Sequence, residues 1–316
     1  MAPAYYHPYP LTQSHKASTT TLFPGVLLLG SILLVLLSWL GYPTPVLGQG
    51  ITQGTIIRAD TREPVPYASV GVKGKPLGTV ANEVGLFRLQ PLEQALPTDT
   101  VIISCVGFMA QKRLAAELRQ HPAILLTPQA TQLTEVAVRH GKLRPQVLGR
   151  EGTGGMAHWG NWAPKDSLPK DKRGWEVGTF LTPSDNCFVD AFSLYVELNN
   201  FRFVRFRVML YAVEENRPTT PLTNQDMQFV LGDQHTGWVK VDLRPYNLHL
   251  KKDQKIALAL QWLDNDEPMT KGKHLSVPAA FPDPFHRAYV RDKSQAQWQL
   301  YPVSPSMNLS VQSYQD

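Results

Sequence analysis

Gly54-Thr55-Ile56-Ile57, Glu63-Pro64-Val65-Pro66-Tyr67-Ala68-Ser69-Val70, Gly78-Thr79, Asn82-Glu83-Val84-Gly85-Leu86-Phe87 and Ile102-Ile103-Ser104-Cys105-Val106-Gly107-Phe108 follow one another early in the chain. Ala68, Val70 and Val72 alternate at a period of two, which a pleated strand satisfies and a helix does not. Gly54, Gly78, Gly85 and Gly107 are read as turn positions where φ can be positive, and Asn82-Glu83-Val84-Gly85 as a turn. Leu86-Phe87-Arg88-Leu89 is the strand that follows. The reading puts Phe87 inside with Val101 and Ile103, and assigns Phe87 and Leu89 to different faces. Pro64 and Pro66 suit a strand entry or an edge, because proline cannot donate to a ladder. The expected product is a small β-sandwich.

The order of these pieces resembles the carboxypeptidase regulatory-like domain, a transthyretin-like sandwich, over about residues 51–128. The motifs carrying the resemblance are Tyr67-Ala68-Ser69-Val70, Gly78-Thr79, Asn82-Glu83-Val84-Gly85-Leu86-Phe87 and Ser104-Cys105-Val106-Gly107-Phe108. The resemblance implies a fold of roughly seven strands with no catalytic residues of its own. It also implies a place at the start of bacterial envelope proteins, TonB-dependent outer-membrane receptors among them. Ala130-Thr131-Gln132-Leu133-Thr134-Glu135-Val136-Ala137-Val138 resembles the segment that follows this module in such proteins. It is expected to be a final strand or a linker, since no barrel-sized set of strands follows.

A chain of 316 residues has room for about two domains beyond a targeting segment. With 43% hydrophobic and 18% charged residues it is an ordinary folded protein and not a disordered one. A net charge of +5, dispersed and without a nucleic-acid-reading motif, gives no support for nucleic acid as a partner. Phe23 to Leu40 is almost wholly apolar, and Pro43 and Pro45 follow it. Residues 1–48 are therefore expected to be an export signal cleaved before Gln49, with retention of the apolar run as a membrane anchor the alternative. The location expected is the periplasm or the outer-membrane and cell surface, with membrane association through the N-terminal segment. Cys105 and Cys187 lie in separate expected domains and are read as two buried thiols.

The second half is again strand-like. Val204, Phe206, Val208 and Leu210 fall on one face of a long strand, with Phe203, Arg205, Arg207, Met209 and Tyr211 on the other. Runs at Cys187–Leu198, Met227–Leu231, Trp238–Leu243, Ile256–Trp262, Arg287–Arg291, Gln297–Tyr301 and Asn308–Val311 bring the expected number of strands to about eight, the size of a jelly roll. The fold class expected is all-β: a transthyretin-like sandwich at 49–128, a linker with a first strand at 129–174, and a jelly-roll-like sandwich at 175–316. The C-terminal half also bears a looser resemblance to jelly rolls appended to the regulatory-like module. Because related jelly rolls bind sugars, Trp159, Trp162 and Trp238 are the candidate ligand-stacking residues. Trp175, Trp262 and Trp298 are expected mostly in the core.

Catalytic motifs are sparse. There is no His-x-x-Glu or His-Glu-x-x-His for zinc and no Gly-x-Ser-x-Gly elbow. Asp264-Asn265-Asp266-Glu267 lacks the spacing of a calcium loop and is read as a solvated turn. No catalytic, cofactor or metal residue is assigned and no cofactor is expected. The expected function is a non-catalytic, exported cell-envelope adaptor or binding protein for carbohydrate or an outer-membrane partner. The alternatives are an accessory glycan or peptide hydrolase, for which Asp185, Asp190, Glu197 and Asp242 are the available carboxylates, and a purely structural envelope spacer.

Overall fold

The computed structural model describes residues 52–89, 94–129, 142–161, 171–232, 234–266, 272–283 and 287–314. The expected export signal, the Ala130–Val138 segment and Trp162 lie outside the described residues. The first sandwich has two sheets. One holds β1 (Thr52–Arg58), β4 (Leu86–Leu89) and β7 (Ala123–Leu126), in the order β4-β1-β7. The other holds β2 (Ser69–Val72), β3 (Gly78–Val80), β5 (Thr100–Ser104) and β6 (Gln111–Leu114), in the order β3-β2-β5-β6. The β1–β7 pair is parallel and the rest are antiparallel, and helix α1 (Ala115–Gln120) makes the connection into β7. The core is Ile56, Val70, Val72, Phe87, Leu89, Val101, Ile103, Ile124 and Leu126, closed by Ala115 and Leu118 of the helix.

Two details differ from the sequence reading. Phe87 and Leu89 are both buried, so they share the inward face, as residues two apart on a pleat must. Gly85 and Gly107 do sit in turns, but Gly54 and Gly78 lie inside β1 and β3, where neighbouring atoms leave no room for a Cβ.

The second sandwich packs a seven-stranded sheet against a five-stranded and a four-stranded one. The largest is ordered β14 (Arg217–Pro221), β13 (Phe203–Glu214), β18 (Ile256–Asn265), β10 (Glu176–Leu181), β20 (Ala288–Arg291), β21 (Gln299–Tyr301), with β15 (Met227–Gly232) also on β13. The five-stranded sheet runs β16 (Gly237–Asp242), β11 (Cys187–Val196), β23 (Met307–Tyr314), β8 (Leu143–Gly149), with β17 (His249–Leu250) on β11. The four-stranded sheet joins β12 (Leu198–Asn199), β19 (Leu275–Ala280) and β22 (Ser304–Pro305), with β9 (Ala157–Asn161) on β19. The chain passes repeatedly between layers, from β11 to β13 to β16 to β18, which is how a jelly roll distributes its strands. The core between layers includes Val204, Phe206, Val208, Leu210, Trp262, Phe192, Leu309 and Val311.

All eight expected strands are present, and the inward face of β13 is the one read from its alternation. Sixteen strand segments, β8 to β23, are described in all. Two of them fall in the segment expected to be mainly linker: β8 pairs with β23 and β9 with β19, so the second sandwich recruits residues well before 175. The Asp264–Asp266 run is also not the solvated turn expected: Asp264 and Asn265 end strand β18. Asn265 and Asp266 are buried, Trp262 Nε1 donates to Asn265 Oδ1 at 3.0 Å, and Lys273 Nζ lies 3.0 Å from Asp266 Oδ2.

Candidate functional site

The two sandwiches meet face to face. The face of β13 turned away from its own core carries Arg207, Met209 and Tyr211, all buried, because the β2 and β5 side of the first sandwich and the loop after β20 cover it. Contact is backbone-close: a Cβ on Gly71 of β2 would stand 2.1 Å from the Ser294 carbonyl oxygen, and the Gly74 N–H donates to the Gln295 carbonyl at 2.8 Å. Tyr67 and Val80 of the first sandwich pack on Leu263 of the second, and the Arg205 guanidinium lies 4.8 Å from the centre of the Tyr67 ring.

A continuous polar chain runs through this seam. Arg207 donates through Nε and Nη2 to the Asp226 carboxylate at 2.6 and 2.9 Å, and through Nη1 to Gln261 Oε1 at 2.9 Å and the Tyr67 carbonyl at 3.3 Å. Gln261 Nε2 donates to Glu176 Oε1 at 2.9 Å and Ser294 Oγ at 3.1 Å, and Ser294 Oγ donates to Ser69 Oγ at 3.1 Å. Glu176, fully buried, also accepts from Arg291 Nη2 at 2.6 Å and from the Tyr211 hydroxyl at 2.8 Å. Burial works against the charge on Arg207, but the adjacent Asp226 outweighs it and holds the guanidinium pKa above its ordinary value. Burial, reinforced by the Glu176 carboxylate, drives the Tyr211 pKa far up, so its hydroxyl stays a donor. Buried charge is tolerated here because every charge has a counter-charge and hydrogen bonds around it.

Beside the seam the two sandwiches diverge and leave a cleft of about 1520 Å³. One lip is the Ser104–Phe108 turn, the very motif quoted at the end of the sequence stretch, with Lys112 beyond it. Gly107 has φ of +81° there, which a side-chain-bearing residue adopts only with strain, and the Phe108 N–H donates back to the Cys105 carbonyl at 3.1 Å to close the turn. The other lip is the Thr219–Gln225 segment and the Pro245–Lys251 segment, and Arg207, Met209 and Tyr211 lie on the floor. The lining contains side-chain amides (Asn186, Asn224, Gln225, Asn247), hydroxyls and the rings of Phe108 and Tyr246, and it contains no Asp or Glu.

Residues 52–138 match the family model of the CarboxypepD_reg-like domain. The first sandwich is a CarboxypepD_reg-like domain. Its matched range ends at 138, beyond the 128 expected from the sequence. No curated protein and no solved structure matches the chain. Seen this way, the regulatory-like domain supplies one wall of the cleft and one side of the buried polar chain.

The candidate stacking residues are not brought together there. Trp238 of β16 is 39% exposed on the outer face of the five-stranded sheet, edge-on to Tyr195 at 5.4 Å, and outside the cleft lining. Trp159 of β9 is half-buried, packed against the core and edge-on to Tyr301 at 5.1 Å, so its ring has lost its role as an open platform. Trp162 lies outside the described residues. Trp175 and Trp262 are core, as expected, and Trp298 packs on Tyr211 and Tyr289 under the Arg291 guanidinium at 4.2 Å.

The four carboxylates weighed for hydrolysis each have their own partner. Asp185 accepts from Ser184 Oγ, Asp190 from Gln312 Nε2, and Asp242 from Arg244, while Glu197 lies 2.8 Å from His158 Nε2. Among the described residues no group of three or more His, Cys, Asp and Glu is placed to hold a metal. Both cysteines are free: Cys187 is buried, but Cys105 is only half-buried at the cleft lip, against the expectation of two buried thiols. The seam residues Arg207, Asp226, Gln261 and Glu176 were not singled out from the sequence. Arg207 was placed only on the outward face of β13, where alternation reads as solvent-facing charge, and its burial comes from the cover of the first sandwich.

Proposed function

We propose that this protein is a non-catalytic, exported binding protein of the cell envelope, with its ligand, a carbohydrate, in the cleft between the regulatory-like domain and the second sandwich. One observation carries the reading: the cleft is lined by amides, hydroxyls and aromatic rings, Phe108 and Tyr246 among them, with no carboxylate in the lining. Amide side chains present a donor and an acceptor together, which pairs with a sugar hydroxyl's donor and acceptor. Glycoside hydrolysis needs two carboxyl groups flanking the bond to be cut, which favours binding over turnover at this place. Binding clefts form preferentially where two domains meet. Export rests on the apolar Phe23–Leu40 run and on the habitat of the domain family. The full-length chain, expressed in its native type of host, is expected in the envelope fraction with its N-terminus near Gln49, as N-terminal sequencing reads out.

A second reading has its own observation. Trp238, exposed and held edge-on by Tyr195 beside Lys240 and Ser193 on the outer face, offers a stacking platform separate from the cleft. Titration calorimetry of the exported chain with oligosaccharides, run beside mass-spectrometric product analysis, tests the proposal. Binding without products supports it. Turnover that disappears on replacing one Asp or Glu contradicts it, and silence toward all ligands leaves the spacer role.

A further inference from the structure

We infer that the cleft takes an anionic oligosaccharide, one bearing carboxylate or phosphate groups. The inference rests on reading the cleft as a carbohydrate site and adds the ligand's charge. Four Lys and Arg side chains line the cleft: Lys112, Lys251, Arg207 and Arg291. On the floor, Arg207 is matched by Asp226 at 2.6 Å and Arg291 by Glu176 at 2.6 Å, so neither offers free charge. Lys112, on β6, and Lys251, after β17, are both exposed, stand on the two opposing lips, and have no carboxylate within ion-pair distance among the described residues. A cleft with two uncompensated ammonium groups on its lips and no acid in its lining concentrates anions. The chain as a whole is only mildly basic at +5, and acids are plentiful elsewhere on its surface, so their exclusion from this lining is local.

The same walls disfavour the other anionic polymer, an acidic peptide added as a strand. The sheet edge that borders the cleft is β14, and Pro218 and Pro221 within it have no N–H to donate to an incoming strand. Recognition therefore falls to side chains: Asn224, Gln225 and Asn247 for ring hydroxyls, Phe108 and Tyr246 for the apolar faces of sugar rings, and the two lysines for the acidic groups.

The test compares an oligogalacturonate with the same oligomer after its carboxylates are reduced to alcohols, titrated into the full chain at low and at raised sodium chloride. The acidic form is expected to bind about 2- to 30-fold more tightly at low salt, the worth of two exposed ion pairs, and the gap to shrink as salt screens them. Lys112→Gln with Lys251→Gln should bring the acidic form down to the affinity of the reduced one, and the Lys→Arg pair should restore the difference. Equal affinity for both forms would overturn the anionic preference and leave the carbohydrate reading standing. Failure of both forms to bind a chain whose unfolding midpoint is normal would overturn both. A preference that persists unchanged in the double Gln variant would remove the lysines as its cause and overturn the assignment.

Discussion

The seven-stranded and five-stranded sheets of the second sandwich share a core but meet opposite fates on their outward faces. The outward face of β13, β18 and β10 is covered by the regulatory-like domain, and its Arg207, Gln261 and Glu176 are buried and linked into one chain of hydrogen bonds. The outward face of β11 and β16 is open: Trp238, Lys240 and Asp242 are exposed, and the Asp242–Arg244 pair stands in solvent. Strand alternation is the same in both. What differs is cover, and with it the dielectric around each charge, so similar ion pairs carry very different weight. The regulatory-like domain thus converts the back of a sheet into the floor of a cleft.

Removing Glu176 should give the largest effect. Glu176→Ala leaves Arg291, Gln261 and the Tyr211 hydroxyl without their shared acceptor, and the expected loss in denaturant unfolding is about 3–5 kcal/mol. Replacing Glu176 by Leu and Arg291 by Met together should recover much of that loss, since the penalty lies in stranding a buried charge. Phe87→Ala, within the regulatory-like domain's own core, is expected to cost about 3–5 kcal/mol, and a change below about 0.5 kcal/mol would show that Phe87 does not fill that core.

A smaller effect is set by pH. Burial, aided by Asp185, raises the Cys187 thiol from about 9 to about 11, so the folded state favours the neutral form. That contribution is complete below about pH 9 and is lost as pH rises toward about 11, on the order of 2 kcal/mol in all. Unfolding of the native chain should therefore weaken more between pH 8.5 and 10.5 than unfolding of Cys187→Ala, and parallel curves would contradict it. The smallest effect belongs to the open face. Arg244 holds the Asp242 carboxyl down at about 2, yet both side chains are exposed, so Asp242→Ala should leave the neutral-pH unfolding midpoint unmoved.

Much of this fold was legible because its strands carry a clean period of two. Val204, Phe206, Val208 and Leu210 announced the inward face of β13, and Phe87 with Val101 and Ile103 announced the first core. Strand β10 did not declare itself: buried on both faces, with Gly178 beneath Tyr289, it shows no alternation to read. Strand β8 was hidden by Pro145 and by exposed residues, and it exists through its long-range pairing with β23. Arg207 on an outward face looks like solvent-facing charge until a second sheet covers it, and that cover is a tertiary fact. Likewise Trp238 and Trp262 both sit in strands, but Trp238 points outward from β16 with Lys240 and Asp242, whereas Trp262 points from β18 into the core between the sheets.

The comparison of covered and open faces is tested most directly by measuring oligosaccharide affinity in two variants, Thr220→Trp and Trp238→Ala. Thr220 is exposed in the cleft lining, and a tryptophan there should fill the space a ligand needs, whereas Trp238 lies outside that lining. Loss of binding in Thr220→Trp with native affinity in Trp238→Ala is the predicted result. Native affinity in Thr220→Trp with loss in Trp238→Ala would contradict the cleft and move the site to the open face.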